Sequence, residues 1–270
     1  LSKTNSFGSL VVPMAGQGKR FVDEGYNKPK PMIKVTGEPM VIQSVKSLPK
    51  ARHNHFILRS DMSGFNEIRD NLNNSFENCS FTNLTSLSKG QATSAYQGLT
   101  ELLTQSKNIN PITIAACDNG VIYDYKKFEK LLIDPSIDII VWGVRQNPNA
   151  IRRPEMFGWI EEKKNVIKNI SVKKPLKNIT KSPIVIGTFT FKKSKTFFDA
   201  YRNMINRKGT IGDEYYIDTM INDAINIGMK CIYFEVDNYI SWGTPNDLKT
   251  FEYWQSCFHK WKQHKYNIKN

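Results

Sequence analysis

No apolar run in this chain approaches the length that crosses a bilayer, and no leader-like start is visible, so no membrane partner is expected. Cysteine is scarce: Cys79, Cys117, Cys231 and Cys257 are widely scattered, which argues against zinc spacing and a disulfide framework and leaves reduced thiols in a cytoplasm as the expectation. The four histidines, His53, His55, His259 and His264, form no metal-like or triad-like set, and no serine or cysteine nucleophile motif occurs. Covalent catalysis is therefore not expected. Gly-Lys-Ser/Thr is absent, which excludes a P-loop, and the only glycine loop of note lacks the third glycine of the dinucleotide fingerprint. Acids are also short: 25 Asp and Glu face 38 Lys and Arg, a net charge of +13. Such an excess invites a nucleic-acid reading. The lysines, however, are dispersed among asparagines and isoleucines, and the densest region, Lys163 to Lys195, is broken by apolar strand-like runs. The excess reads as surface, and no nucleic acid is expected.

What remains is an alternating chain. At 270 residues, with 40% hydrophobic content, it is long enough to bury one sizeable core. Ser9–Met14, His55–Arg59, Ser80–Leu84, Pro111–Cys117 and Ile137–Val144 read as strands, with helical spacing over Gln91–Gln105 and near Tyr125–Leu132. The second half opens with a hairpin, Phe157–Pro175, then a strand "PIVIGTFTFKK", a helix over Thr196–Asn206, a helix Ile217–Ile227, a strand "KCIYFEV" and a last helix from Asn246 to about Lys262. Strands alternating with helices predict an α/β fold: a three-layer, Rossmann-like, mostly parallel sheet with the hairpin and a C-terminal elaboration. The expectation is one domain over 1–270, residues to about 150 forming one half and the rest another.

Ligands of such sheets bind beyond the carboxyl ends of strands. Two features fall there. One is "PMAGQGKRF" after the first strand, where Gly16 and Gly18 let backbone N–H groups approach an anion and Arg20 can bridge phosphate oxygens. In "KPKPMIKV", prolines bracket Lys30 and hold its amine on a stiff segment. The other is Asp118, ending the apolar strand before Asn119-Gly120. Read alone, the first could be a structural turn and the second a turn-starting aspartate.

Taken in order, "PMAGQGKRF", "PKPMIKVTGEPMV", "KGQATSAYQGL", "ITIAACDNGV", "FGWIEEKKNVIKNISVKKP", "PIVIGTFTFK", "GDEYYIDTMIND" and "SWGTPNDL" resemble the sugar-phosphate nucleotidylyltransferases, or nucleoside-diphosphate-sugar pyrophosphorylases. The resemblance covers nearly the whole chain and looks like a branch found with capsule and surface-polymer genes, some of whose members take acceptors other than sugars. It implies transfer of a nucleotidyl group from an NTP to a phosphorylated small-molecule acceptor, with Mg²⁺ as cofactor and pyrophosphate released. CTP is weakly favoured. By the same resemblance Ala15, Gly16, Gly18, Lys19, Gly90 and Gln91 would hold the nucleotide, and Arg20 and Lys30 would act on the phosphates undergoing reaction. Asp118 would bind metal, and Lys174, Gly187 and Glu214 would line the acceptor side. Three departures stand out. Lys173 precedes Lys174 where glutamate is usual; Lys34 stands where proline is common. Ser241 and Trp242 precede Gly243-Thr244 where a second metal aspartate is common, leaving Asp237 and Glu235 as nearby candidates, of which Asp237 is taken first. Two other readings stay open: a metal-dependent glycosyltransferase, disfavoured because "CDNG" offers one carboxylate rather than an Asp-x-Asp pair, and a catalytically silent nucleotide-sugar binding module. A homo-oligomer is compatible with the sequence.

Overall fold

The computed structural model describes residues 6–106 and 108–261; Lys262 and His264 lie outside them. The first half runs β1 (Phe7–Pro13), α1 (Lys19–Asp23), β2 (Lys34–Val35), β3 (Glu38–Pro39), α2 (Met40–Lys46), β4 (Ala51–Arg59), α3 (Phe65–Ser75), β5 (Cys79–Leu84), α4 (Gln91–Gln105), β6 (Ile112–Ile114), β7 (Asn119–Ile122), α5 (Tyr125–Ile133) and β8 (Ile139–Val144). The second runs α6 (Pro148–Arg152), β9 (Gly158–Lys163), β10 (Val166–Val172), β11 (Ile184–Phe191), α7 (Ser194–Asn206), α8 (Ile217–Asn226), β12 (Cys231–Glu235), β13 (Asn238–Ser241) and α9 (Pro245–Lys260).

One sheet carries both halves, in the order β5-β4-β1-β6-β11-β8-β12-β10-β9. Its β5-β4-β1-β6 portion is parallel, as is the β8–β12 pair. β11, however, lies antiparallel to both β6 and β8, and the β9–β10 hairpin continues the sheet antiparallel. The sheet is mixed, which corrects the expectation of a mostly parallel one. An apolar run buried on both faces does not encode its direction. Here the hairpin returns the chain so that β11 enters from the opposite end.

Alternation along the strands explains the three layers. Val11, Ile57, Ile112 and Ile114 face one core with Ala92, Ala95 and Leu99 of α4 and the buried faces of α7 and α8. Leu10, Val12, Phe56 and Leu58 face the other, against Val41 and Val45 of α2, Ile68 and Leu72 of α3 and Phe128 of α5. A third cluster joins Phe21 of α1 and Met40 to Trp242 and Leu248, fastening the N-terminal loop to the C-terminal segment. A separate two-stranded ladder, β7–β13, pairs Asn119 with Ser241 and Ile122 with Asn238. Among the described residues no helix is long and apolar enough to cross a membrane.

Candidate active site

β1 ends at Pro13 and the chain turns through Met14–Gly18 into α1. Gly18 has φ +62°, in the left-handed region, and a Cβ there would lie 3.0 Å from Lys30 Cβ, so the bare backbone lets the two segments touch. Gly16 has no neighbouring heavy atom within 4 Å of where its Cβ would be; packing within the chain does not demand glycine at that position. The loop is braced by Arg59, whose Nη1 donates to Ala15 O at 2.7 Å. Nothing in the local pattern of β4 marks that arginine as a brace.

Lys30 opens a 3-10 turn between Pro29 and Pro31, and its Nζ forms an ion pair with Asp118 Oδ2. The two side chains are 21% and 24% exposed, so the pair is partly buried yet reachable from solvent. Burial opposes the charge on Lys30, but the Asp118 carboxylate outweighs it and holds the ammonium above its ordinary pKa. Gly243 makes room for this carboxylate, since a Cβ there would lie 3.2 Å from Asp118 Oδ2. Trp242 N–H donates to Asp118 O at 2.8 Å and fixes the strand end.

Two clefts open on either side of the pair, and Lys30, Gln91, Ala116 and Asp118 line both. The first, about 290 Å³, is formed by Ala15, Gly16, Gly18, Ser88 and Gly90, with Glu214 at its edge. Gly90 has φ +102°, and a Cβ there would sit 2.6 Å from Tyr215 O. Main-chain bonds from Tyr215 N to Lys89 O and from Ala92 N to Tyr215 O clamp the start of α4 to the 214–216 segment. The second cleft, about 330 Å³, holds Arg20, Arg152, Arg153, Gly187 and Asp218, with Ser241 and Asp247 on the C-terminal side. Gln17, Gly18, Lys19 and Arg20 form a smaller recess beside them with Gly243.

The structure thus gathers Ala15, Gly16, Gly18, Arg20, Lys30, Gly90, Gln91, Asp118 and Gly187 around two adjoining clefts, with Lys19 in the recess beside them. Three residues fall elsewhere. Glu214 borders the first cleft rather than the second, its carboxylate held by the Tyr216 hydroxyl. Lys174 is exposed and lines none of these clefts; its neighbour Lys173, with φ +57°, turns instead onto Tyr216. Asp237 is exposed at the far end of the β7–β13 ladder, its N–H donating to Ile122 O. Asp118 precedes the near end, so along the ladder the two α-carbons are roughly 17 Å apart at about 3.4 Å per residue, beyond the combined reach of two aspartate side chains to one ion. They cannot share one ion. Arg152, Arg153, Asp218 and Asp247 are additions that periodicity hid: "NAIRRPEM" scans as a loop, and Asp218 and Asp247 scan as first-turn helix acids.

Among the described residues no group of three His, Cys, Asp or Glu side chains converges as a closed metal site. The arrangement nevertheless fits Mg²⁺, which needs one or two carboxylates when substrate phosphates complete its shell. Asp118 supplies one such carboxylate, and the Lys30 ammonium already shows that a cation is accepted against it. Cys117, beside it, is no candidate nucleophile: burial, with Asp118 adjacent, pushes its thiol up to about 12.

No family model matches the sequence, and no curated protein matches it. Solved structures do. A nucleoside-diphosphate-sugar pyrophosphorylase from Vibrio cholerae RC9 superposes with a TM-score of 0.72 at 19% identity, over 90% of this chain and 98% of that one. The inositol-1-phosphate CTP transferase from T. maritima gives 0.70 at 15% identity, over 97% and 100%. A UDP-glucose pyrophosphorylase complexed with UDP-glucose gives 0.67 at 16%, over 93% and 99%. The chain has the fold of these nucleotidyl-transferring proteins along nearly its whole length.

Proposed function

We propose that the protein is a nucleotidyltransferase that joins the α-phosphate of an NTP to a phosphorylated small-molecule acceptor and releases pyrophosphate. One observation carries this: a Lys–Asp pair sits where a glycine-loop cleft and an arginine-bearing cleft meet, so two phosphorylated substrates can approach one point from opposite sides. The acceptor phosphate oxygen bonds to the α-phosphorus as the bond to the pyrophosphate oxygen breaks. In-line displacement of this kind needs positioning and charge neutralisation more than covalent participation, in keeping with a site whose one thiol is protonated. Backbone N–H groups from Gly16 to Gly18 and the side chains of Lys19 and Arg20 take the leaving phosphates. Lys30 stands over the α-phosphate, and Asp118 holds Mg²⁺, which neutralises phosphate charge when bound. On this reading Asp237, at the far end of the β7–β13 ladder, takes no part in holding the ion. The first cleft, ending at Gly90 and Gln91, takes the base; the second, with Gly187, takes the acceptor. Arg152 and Arg153, which line that cleft, provide the acceptor-side cations in place of Lys174, which does not line it.

CTP is the first nucleotide to test, and a sugar phosphate or phospho-polyol the first acceptor. Pyrophosphate release across a panel of NTPs and phosphomonoesters, with and without EDTA, tests the reading. Release that requires one NTP, one acceptor and a divalent ion supports it. Undiminished activity in EDTA removes the metal role of Asp118. No release with any pair leaves a binding module as the better description.

A further inference from the structure

Two carboxylates in the second cleft are not used by that chemistry: Asp247, which accepts from Asn149 Nδ2 and Ser241 Oγ, and Asp218, which no other side chain among the described residues holds. Asp218 lies in the first turn of α8, half-buried, and lines the cleft together with Met156, Phe157, Gly158 and Ile186. Its neighbour on β9 is a glycine for a reason visible in the geometry: a Cβ at Gly158 would overlap Asp218 Oδ2. Among the described residues no cation comes within ion-pair distance of this carboxylate. Lys173 acts on it only through space, because its ammonium donates to Tyr216 Oη at 2.8 Å and lies 4.6 Å from that ring. The start of α8 offers partial positive charge, yet burial still pushes the Asp218 carboxyl up to about 6. Its own backbone N–H donates to it, but no cation does, and a desolvated acid facing a cleft without a counter-charge is costly to keep for structure alone and is a common mark of a ligand-binding group.

We infer that Asp218 reads the end of the acceptor remote from its phosphate, accepting hydrogen bonds from an ammonium or from hydroxyls there, and so selects the acceptor. The lining of the cleft supplies both kinds of group. Arg152 and Arg153 provide cations for the acceptor phosphate, while Asp218 is set among apolar side chains where a donor would be desolvated with it. A donor buried against an unpaired carboxylate discriminates strongly, because an acceptor lacking it leaves the acid unmatched. The inference rests on the nucleotidyl-transfer reading for the word acceptor, but not for the contact itself.

The test is binding of phosphoethanolamine, glucose 1-phosphate and propyl phosphate, followed by thermal shift, to the full chain and its Asp218→Asn variant. The donor-bearing esters should bind the variant on the order of 10- to 100-fold more weakly. Propyl phosphate, which has no donor at its far end, and CTP should bind both proteins alike. A larger loss for phosphoethanolamine assigns an ammonium, and a larger loss for glucose 1-phosphate assigns hydroxyls. Gly158→Ala, which displaces the carboxylate while keeping its charge, should reproduce the loss. Equal binding of every ester to both proteins overturns the inference, as does equal weakening of propyl phosphate and CTP, or failure of both donor-bearing esters to bind wild type. Pyrophosphate release separates the two readings. Acceptors that bind through Asp218 without any turnover sink the enzyme and leave the contact; turnover unaffected by Asp218→Asn does the reverse.

Discussion

Lys30 and Asp218 illustrate opposite ways of keeping a charge out of water. Lys30 has a partner, and its pairing with Asp118 leaves an ammonium that phosphate oxygens can take over when substrates arrive. A cation that gains most as charge builds in the transition state should show in kcat rather than KM. Lys30→Ala is therefore expected to lower kcat on the order of 10²–10³-fold, with the KM for NTP changed far less; steady-state kinetics checks this, and a pure KM effect would mean ground-state binding only. Asp218 has no ion-pair partner, and the consequence is a stability cost. Burial raises its folded pKa to about 6 from 3.8, so the native state binds a proton that the unfolded chain does not between those values. The cost is full above pH 6 and is relieved as pH falls toward 4. Asp218→Asn should thus raise the melting temperature at pH 7.5 by about 2–6 °C, and the difference should vanish near pH 4. A variant less stable than wild type at pH 7.5 would mean that the carboxylate has a structural partner.

At the scale of elements, the site depends on a few places where two segments cross without side chains between them. Gly90 is one, pressed against Tyr215 O with its backbone in a region open to glycine. Gly90→Ala should destabilise the fold by about 2 kcal/mol or more in urea titration and weaken NTP binding with it, because α4 and the 214–216 segment must part. The β7–β13 ladder is another such element. It carries Asp118 at one end and Asp237 at the other, so Asp237→Asn should leave the Mg²⁺ concentration for half-activity unchanged, whereas Asp118→Asn should abolish most turnover. What the sequence made legible follows from these distinctions. The glycine loop, Lys30 between its prolines and Asp118 at a strand end are local patterns whose chemistry depends on neighbours in the chain, and the fold brings them together. The direction of β11, the reach of Asp237 and the clustering of Arg152, Arg153 and Asp218 depend on how distant segments pair. Helices α2 and α3 escape the periodic pattern as well, because α2 is one short run buried nearly all round and α3 buries only Ile68 and Leu72.

The whole molecule joins these parts through one mixed sheet, with the clefts at the strand ends and a third core pinning the N-terminal loop against Trp242 and Leu248. Its net charge of +13, with Lys19, Arg20, Arg152 and Arg153 around the openings, favours encounter with multiply charged phosphates. Raising ionic strength from about 50 to 500 mM should lower kcat/KM for NTP severalfold through screening while kcat changes little. The central claim, however, concerns which bond is broken. With α-³²P-labelled NTP, a phosphorylated acceptor and Mg²⁺, the label is predicted to appear in a conjugate of nucleotide and acceptor, in amounts equal to the pyrophosphate released. Label recovered as free nucleoside monophosphate, or a transferred γ-phosphate with the α-label left in nucleoside diphosphate, would contradict it.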